Sequence, residues 1–338
     1  RRAWRRANAV GAMGEGTVLV TGGAGYVGAL VAEELISAGR AVRVLDALLH
    51  GQDAVAERLR ARCAEVVVGD VRDPEARRRA LAGAWGVVHL AAIVGDPACA
   101  RDPEGSRAVN LDASRSLLGE AAEAGVERLV FASTCSNYGR MADPTVALTE
   151  EAELRPVSRY AEQKVAVERL VLERAGDGVA GTCLRFATVY GAAPRMRFDL
   201  TVNEFTRDLW AGRTLEVFGE RFWRPYVHVR DAARAVRSAL DAPREAVAGA
   251  VFNVGRSSEN YRKLDLVEAI RGEIRTGEVV YVHRDEDPRD YRVSFDKVAA
   301  VLGFETTMTV PDGVAEVAAA LSEGRFGDPF DPRHHNCP

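Results

Sequence analysis

Three evenly spaced glycines stand between a strand-like run and a helix-like run near the start of the chain. The strand-like run is Thr17–Val20, and apolar residues with helical spacing follow the glycines until Gly39. In such a turn, one glycine permits the tight bend, one lets a pyrophosphate approach the backbone, and one lets helix pack closely on strand. The helix N-terminus also offers unpaired N–H groups to phosphates. This pattern predicts a dinucleotide-binding turn, with candidate contacts at Gly22, Gly25, Tyr26 and Val27.

Strand-like and helix-like segments alternate through the first half of the chain. Further strand-like runs occupy residues 41–45, 65–68, 86–90, 128–132 and 182–189, and helical spacing is clear at 107–124 and 160–174. Strands that read as nearly continuous apolar runs between helices indicate a parallel sheet covered on both faces. We therefore expect an α/β fold, a doubly wound parallel Rossmann sheet with a smaller mixed α/β C-terminal domain that binds substrate.

The rhythm changes after about residue 190, where leucines become rarer and arginine and proline more frequent, as in Pro194-Arg195-Met196-Arg197. We expect the sheet domain at 16–190 and the second domain at 191–326, with 225–255 returning to the sheet. Residues 1–15 have the character of a disordered leader or tag, and 327–338 that of an irregular tail. The adjacent histidines in that tail are not expected to bind a metal.

Composition excludes several classes of protein. The 45 basic and 49 acidic side chains give a net charge of −4, which argues against a nucleic-acid partner. No apolar run reaches the roughly 18–20 residues that span a bilayer, so no membrane association is expected. Five scattered cysteines without a CxxC pair are typical of reduced thiols in a cytoplasmic protein.

An acidic residue at the end of the second strand indicates which dinucleotide binds. Asp46 can accept hydrogen bonds from the adenosine ribose hydroxyls and repels a 2′-phosphate, which favours NAD over NADP. Small and acidic residues at the ends of the next strands extend the predicted site, whereas His89 is expected to be a core histidine. The remaining candidate cofactor contacts are Asp70, Val71, Leu90, Ala91, Ala92 and Asn110.

Tyr160 and Lys164 are four residues apart in a helical segment and therefore share a face. A tyrosine with a pKa of about 10 is a poor base at neutral pH. A nearby ammonium, together with the positive charge of a nicotinamide, is expected to lower that pKa. Such a phenolate can remove a hydroxyl proton while the carbon delivers hydride. Thr134, in the hydroxyl-rich turn after the fifth strand, is placed to donate to the same oxygen.

In combination these motifs resemble the extended short-chain dehydrogenases/reductases, specifically the NAD-dependent nucleotide-sugar epimerase/dehydratase family and its UDP-glucose 4-epimerase-like members. The similarity covers about residues 16–325. It includes the glycine turn, Gly69-Asp70-Val71, Leu90-Ala91-Ala92, Ser133-Thr134 with Tyr138-Gly139, Tyr160 with Lys164, Leu184-Arg185-Phe186, Val189-Tyr190-Gly191 and Arg224–Asp231.

The resemblance implies a nucleotide-diphosphate sugar as substrate and NAD as cofactor. It implies Thr134 as the hydroxyl hydrogen-bonding residue, Tyr160 as base and Lys164 as ligand of the nicotinamide ribose. Residues 191–326 would then mainly bind the nucleotide sugar. A homodimer through the helices at 107–124 and 160–174 is the family's common assembly. The candidate substrate contacts are Ser136, Asn137, Thr188, Asn203, Arg224 and Arg289.

The two residues after Thr134 bear on the reaction. Family dehydratases have Thr-Asp-Glu here, and decarboxylases typically have a glutamate at the position of Ser136, so Cys135-Ser136 disfavours both reactions. An epimerase acting at C4 needs neither carboxylate. Cys135 is either an additional acid/base residue or a packing residue, and packing is favoured.

Two alternative functions remain open. One is an NAD(P)H-dependent ketosugar reductase or dehydrogenase, which would consume its cofactor. The other is a non-catalytic dinucleotide sensor, which ranks lower because both Tyr160 and Lys164 are present.

Overall fold

The computed structural model describes residues 16–336, except 142, 144, 145, 177 and 284–288. The expected leader, residues 1–15, and Cys337 of the tail lie outside the described residues. In chain order the strands are β1 (Thr17–Thr21), β2 (Val42–Asp46), β3 (Glu65–Val68), β4 (Ala84–His89), β5 (Arg128–Thr134), β6 (Ala180–Phe186), β7 (Thr188–Tyr190), β8 (Thr214–Phe218), β9 (Trp223–His228), β10 (Ala250–Val254), β11 (Asn260–Arg262) and β12 (Glu278–Val282).

Helices connect most of these strands. They are α1 (Tyr26–Ser37), α2 (Asp53–Ala61), α3 (Pro74–Leu81), α4 (Asp96–Arg101), α5 (Pro103–Arg107), α6 (Ala113–Glu123), α7 (Arg159–Glu173), α8 (Thr201–Trp210), α9 (Val229–Asp241), α10 (Arg244–Val247), α11 (Lys263–Glu273), α12 (Asp296–Leu302) and α13 (Val310–Ser322). The helix expected at 107–124 is interrupted, because residues Ala108–Asp112 form a π-helical turn between α5 and α6.

A seven-stranded, all-parallel sheet forms the centre of the molecule, in the order β10-β6-β5-β4-β1-β2-β3. Val18 and Val20 of β1 pack in the core of one face, with α1 and α9, whereas Leu19 packs in the core of the other, with α3, α6 and α7. The strand order reverses between β1 and β4. In an open α/β sheet, that reversal marks a crevice for ligands at the carboxyl ends of the strands. The predicted doubly wound fold is confirmed.

The second lobe is built from short strands and three packed helices. A three-stranded sheet (β11-β9-β7) and a two-stranded sheet (β12-β8) lie here, and α8, α11 and α13 share one apolar core. The single strand expected at 182–189 is divided, because β6 joins the central sheet and β7 joins the small one. From β9 the chain returns through α9, which packs on α1, to β10 beside β6.

None of the helices in the described part of the chain is long and apolar enough to cross a membrane.

Candidate active site at the strand ends

A cleft of about 620 Å³ lies at the carboxyl ends of the central strands and is walled by both lobes. From the sheet lobe it receives the glycine turn, the ends of β2 to β5, and α7. From the second lobe it receives the segments around Thr188, Arg197, Arg224 and Tyr291. A cleft at this place and of this size is the default location for a cofactor and its substrate.

The glycine turn can exist only with glycine at two of its positions. Gly22 has φ +70°, and a Cβ there would lie 2.8 Å from the amide nitrogen of Ala91. A Cβ on Gly28 would lie 2.0 Å from the carbonyl oxygen of Gly22. The missing side chains leave the N-terminus of α1 open to the cleft, with N–H groups that lack intrahelical partners. The turn therefore fits a dinucleotide pyrophosphate. Of the predicted cofactor contacts here, Gly22, Gly25, Tyr26 and Val27 all line the cleft.

Asp46, at the end of β2, is held in place by the backbone. Its Oδ2 accepts the N–H of Ala24 at 2.9 Å, and its Oδ1 accepts the N–H of Leu48 at 2.8 Å. Burial raises the pKa of this carboxyl, and these hydrogen bonds oppose the rise. Asp46 lines the cleft, and each of its oxygens can accept one further hydrogen bond, which suits two ribose hydroxyls.

The other predicted cofactor contacts at the strand ends differ in whether their side chains are available to a ligand in the cleft. Val71, Leu90, Ala91 and Ala92 line the cleft. Asp70 also lines it, but Arg72 forks onto both of its oxygens and lowers the pKa of that carboxyl. An adenine amino group would have to share Asp70 with Arg72.

Asn110 does not line the cleft. Its side-chain amide instead clamps the Ile93 backbone, accepting the Ile93 N–H at 2.7 Å and donating to the Ile93 carbonyl at 2.9 Å, and it also donates to Gln163. Asn110 sits in the π-helical turn, a feature often found at functional sites. Asn110 therefore holds the loop that carries Ile93, and Ile93 lines the cleft.

His89 is a core residue, as predicted. The Ser114 hydroxyl donates to the Asn110 carbonyl at 2.7 Å, so the His89 Nε2–H must donate to Ser114. Nδ1 then accepts from the Thr21 hydroxyl at 2.7 Å. Burial lowers the pKa of His89 to about 3, so the ring is neutral at physiological pH.

The turn after β5 divides its side chains between the cleft and the interior. Thr134 and Ser136 line the cleft. Cys135 is buried and its thiol donates to the Arg185 carbonyl at 3.2 Å, and burial raises its pKa. Asn137 is also fully buried and donates to the Ser133 hydroxyl at 3.0 Å. The structure thus places neither Cys135 nor Asn137 at the cleft surface, because consecutive residues of this 3₁₀ turn point in different directions.

Tyr160 and Lys164 both line the cleft from the first turns of α7, which Ser158 caps. The Lys164 Nζ donates to the Ala132 carbonyl at 2.8 Å and lies 5.8 Å from the centre of the Tyr160 ring. Burial lowers the pKa of Lys164 to about 8.

The expected lowering of the Tyr160 pKa is not what this structure shows. Burial raises that pKa, and among the groups that act on the phenol Arg197 opposes the rise, not Lys164. Burial is the largest cause, and the Lys164 Nζ lies 5.8 Å from the ring centre with its hydrogen bond directed to the Ala132 carbonyl. The phenol therefore needs a further positive charge to ionise near neutral pH.

On the substrate side, the cleft receives Thr188, Arg224 and Arg289. Arg289 forms an ion pair with Asp96 across the cleft at 3.1 Å, and Arg224 donates to the Arg289 carbonyl. Tyr291, which sequence reasoning did not select, is buried beside Ser136, with 3.4 Å between the two hydroxyl oxygens.

Asn203 does not line the cleft, contrary to its expected role in substrate binding. It is fully buried, and its amide accepts the Gly191 N–H at 2.9 Å and donates to the Tyr26 hydroxyl at 3.1 Å and to the Arg197 carbonyl at 2.9 Å. All of its hydrogen-bonding groups are thereby used, and Asn203 joins α1 to the second lobe.

Three further residues line the cleft, two arginines and one residue of the C-terminal tail, and the sequence analysis assigned none of them to it. Arg195, Arg197 and Asn336 all line the cleft. The only sequence signal for the two arginines was the arginine-rich stretch after residue 190, where the composition of the chain changes. The tail expected to be irregular has a 3₁₀ turn at Pro332–His334 and packs on this stretch. No cluster able to hold a metal ion occurs among the described residues.

The chain matches proteins of known family over most of its length. The NAD-dependent epimerase/dehydratase family matches residues 18–255. The UDP-glucose 4-epimerase of Corynebacterium glutamicum is 30% identical over 335 residues, which is 92% of this chain and 97% of that protein.

Solved structures agree. The UDP-glucose 4-epimerase of Thermus thermophilus, in complex with NAD, is 28% identical with a TM-score of 0.78, covering 90% of this chain and 99% of that one. A dTDP-glucose 4,6-dehydratase from Streptomyces venezuelae, also with NAD bound, is 26% identical with a TM-score of 0.81, covering 91% of this chain and 98% of that one. Enzymes of two different activities therefore share this fold, and both of these structures contain NAD.

Proposed function

This chain belongs to the NAD-dependent epimerase/dehydratase family, and we propose that it is a nucleotide-sugar epimerase that inverts the configuration at C4. One observation carries the proposal. Thr134 and Tyr160 face a common cleft, while the residue after Thr134 is a buried thiol and the next is a serine. The cleft thus has a base for a carbinol proton but lacks the acid pair that elimination of water needs at this turn.

The chain's own residues account for the proton transfer. The Tyr160 phenol takes the C4 hydroxyl proton, and the Thr134 hydroxyl donates to the same oxygen and holds it in line. Bound NAD supplies the acceptor and, after the ketosugar has turned over, the donor of the C4 hydride. Tyr160 then returns its proton to the C4 oxygen, and the configuration is inverted because the hydride arrives on the opposite face of C4. Proton and hydride both return, so the cycle has no net redox change.

Protonated Lys164 places a positive charge 5.8 Å from the centre of the Tyr160 ring, in addition to that of Arg197, which acts on the phenol. Its pKa of about 8 means that the ammonium form prevails at neutral pH. Ionisation of the phenol is favoured when this ammonium and a cationic nicotinamide lie on the same side of the ring.

The carboxylates around the cleft support epimerisation over dehydration. Among the described lining residues these are Asp46, Asp70, Asp96 and Asp199. Each is already engaged, Asp46 by backbone N–H groups and the other three by arginines. A general acid for elimination would have to be released from one of these partners.

We further propose how the ligands are held. NAD would lie along the glycine turn, with its adenosine ribose at Asp46 and its nicotinamide ribose at Lys164. The nucleotide-diphosphate sugar would reach Thr134 from the second lobe, held by Ser136, Thr188, Arg224 and Arg289, since arginines bind diphosphate oxygens in a bidentate manner.

A homodimer is proposed on the outer face of α6 and α7. On α7, Ala166 and Leu170 are half-buried and flanked by the exposed Glu162 and Arg169. Pairing with the same helices of a second copy would form a four-helix interface. Light scattering after gel filtration tests this directly. The free thiols at Cys63, Cys99, Cys135 and Cys183 support a reducing, cytoplasmic location.

The deciding experiment is product analysis. The purified protein is incubated separately with UDP-glucose, UDP-N-acetylglucosamine, UDP-glucuronic acid and dTDP-glucose, and products are identified by NMR while absorbance is followed at 340 nm. We expect the C4 epimer of at least one substrate, without net change at 340 nm. Tyr160→Phe should lower turnover by about 10²- to 10⁴-fold. Tyr281→Phe, a partly exposed tyrosine on β12, is the matched control.

Other outcomes identify the alternatives. A 4-keto-6-deoxy product would indicate a dehydratase, and stoichiometric consumption of NADH or NADPH a reductase. Retention of NAD with no product from any nucleotide sugar would support the sensor.

A further inference from the structure

Arg195 and Arg197, which we call the arginine pair, form an unexplained cationic wall in the cleft. Both are more than nine-tenths buried, and both line the cleft. The Arg195 Nε has no hydrogen-bond partner within the described part of the chain. Buried guanidinium groups are costly unless an anion or acceptor compensates them. The pair is therefore arranged for a ligand that carries negative charge.

The position of the arginine pair indicates which part of a ligand it faces. Arg195 acts electrostatically on Asp46 and His50, at the adenosine end of the predicted cofactor path. Arg197 also acts on His50, and in addition on the phenols of Tyr26, at the glycine turn, and of Tyr160. The two guanidinium groups thus lie within reach of both Asp46 and Tyr160, between the two ends of the path. In a dinucleotide the middle is the diphosphate.

Within the described part of the chain, Arg197 has a carboxylate in direct contact, whereas Arg195 has none. Asp199 pairs with Arg197, accepting from Nε at 3.0 Å and from Nη2 at 2.7 Å. Among the described residues Arg195 has no such carboxylate fork; its Nη2 donates to the His335 carbonyl at 3.2 Å, and Asp46 and Asp199 act on it through space without a direct contact. Burial and the neighbouring Arg197 charge lower the pKa of Arg195 to about 10, so it stays charged at neutral pH. A diphosphate diester, with two negative charges, complements this arrangement.

Distant parts of the chain hold the arginine pair in place. Asn203 donates to the Arg197 carbonyl and to the Tyr26 hydroxyl, which ties the pair to α1. The C-terminal tail also contacts the residues next to the arginine pair. The Phe198 N–H donates to the His334 carbonyl at 2.9 Å, and the Asn336 N–H donates to the Asp199 carboxylate at 3.3 Å. The His334 ring also packs edge-on against Phe198, 5.5 Å between centroids.

We propose that the arginine pair binds the pyrophosphate of NAD from the side opposite the glycine turn, and that the C-terminal tail holds the pair in this position. The cofactor diphosphate is then enclosed between backbone N–H groups on one side and guanidinium groups on the other. Such enclosure slows release of NAD, as a cycle without net redox change permits.

The test measures retention of NAD and needs no turnover. Purified wild-type protein, Arg195→Ala, Arg195→Lys and the control Arg79→Ala are dialysed, and bound NAD is quantified over time after acid extraction. Arg79 is exposed on α3 and far from the cleft. ADP-ribose and adenosine are then titrated as competitors, because only the first carries the diphosphate. Circular dichroism checks that each variant is folded.

We expect Arg195→Ala to release NAD and to lose ADP-ribose affinity by about ten- to a hundredfold, as for a charge-assisted hydrogen bond, with adenosine affinity within about threefold of wild type. Arg195→Lys should be intermediate, since it keeps the charge without the fork. His334→Ala should speed release several-fold. If Arg195→Ala does not fold, NAD retention by Arg195→Lys and His334→Ala tests the proposal.

The proposal is overturned if NAD retention in these variants equals that of the wild type. It is also overturned if adenosine affinity falls as much as ADP-ribose affinity, which would place Arg195 at the nucleoside. A rise in the KM for the nucleotide sugar with unchanged NAD retention would assign the pair to the substrate's diphosphate instead.

Discussion

Replacement of Lys164 by methionine should stabilise the protein at neutral pH while abolishing its proposed activity. Lys164 is 4% exposed, and within the described part of the chain its ammonium makes one hydrogen bond, to the Ala132 carbonyl. Burial lowers its pKa from the ordinary 10.5 to about 8, which means that folding must bring a charge into an environment that disfavours it. Methionine has similar length and no charge, so it removes that penalty.

The magnitude follows from the pKa shift. One pKa unit corresponds to about 1.36 kcal/mol, so a fall from 10.5 to about 8 gives roughly 3 kcal/mol of destabilisation below pH 8. Loss of the hydrogen bond to the Ala132 carbonyl returns about 1 kcal/mol. The variant should therefore be more stable by about 2 kcal/mol at pH 7, which for a chain of this length raises Tm by about 3 °C.

The sign reverses at high pH. Between pH 8 and 10.5 the unfolded chain binds the lysine proton and the folded protein does not, so wild-type stability rises with pH across this window. Above it both states are neutral, and the variant should be less stable by about 1 kcal/mol because it lacks the hydrogen bond.

Urea unfolding of the wild type, Lys164→Met and the partly exposed control Lys297→Met, at pH 7 and at pH 10.5, measures these differences. A Lys164→Met variant that is less stable at pH 7, or whose difference from wild type does not change with pH, would refute the reasoning.

Three further predictions follow from single contacts. Cys135→Ala should keep kcat within about threefold, because the thiol faces the Arg185 carbonyl rather than the cleft. A several-hundredfold loss of kcat with unchanged NAD binding would instead make Cys135 an acid/base residue at the carbon next to the ketone. Glu168→Gln should lower the free energy of unfolding, measured in urea, by about 3–5 kcal/mol, because the buried Arg185 loses its carboxylate partner. The control Glu173→Gln, at an exposed position, should leave it unchanged, and a loss below about 1 kcal/mol for Glu168→Gln would contradict this reasoning. Asp46→Ser should narrow the ratio of NADP to NAD dissociation constants by tenfold or more, measured by calorimetry, and an unchanged ratio would remove Asp46 from the ribose site.

The fold was largely predictable because its signals are local. Apolar runs alternate with helical spacing as far as β6, and the glycine turn marks the first crossover. The boundary between β6 and β7 was not visible, since no glycine or proline interrupts Thr182–Val189. The two halves belong to different sheets only because β9 and β10 arrive from later in the chain.

Sequence reasoning selected residues for the site by type, and this succeeded where a residue's direction follows from its element. Tyr160 and Lys164 share a helix face, so both reach the cleft together. In the turn after β5, the same reasoning could not tell that Ser136 faces the cleft while Cys135 and Asn137 face the interior, since that depends on backbone geometry.

Long-range hydrogen bonding explains the remaining differences. Asn203 has a suitable side chain for a substrate contact, but three partners from Tyr26, Gly191 and Arg197 use all of its polar groups. Arg195 is visible as part of a basic stretch. Its place in the cleft, however, depends on contacts with a tail about 140 residues later, which no local pattern encodes.

The most direct test of the central claim is the fate of a C4 label. UDP-glucose carrying deuterium at C4, or the nucleotide sugar that product analysis identifies, is incubated with the protein and the epimer is analysed by NMR and mass spectrometry. We predict that deuterium remains on C4 of the product, with inverted configuration, and that solvent hydrogen does not replace it. Deuterium at another carbon, in solvent or in released NADH would contradict C4 epimerisation by a transiently reduced, retained cofactor.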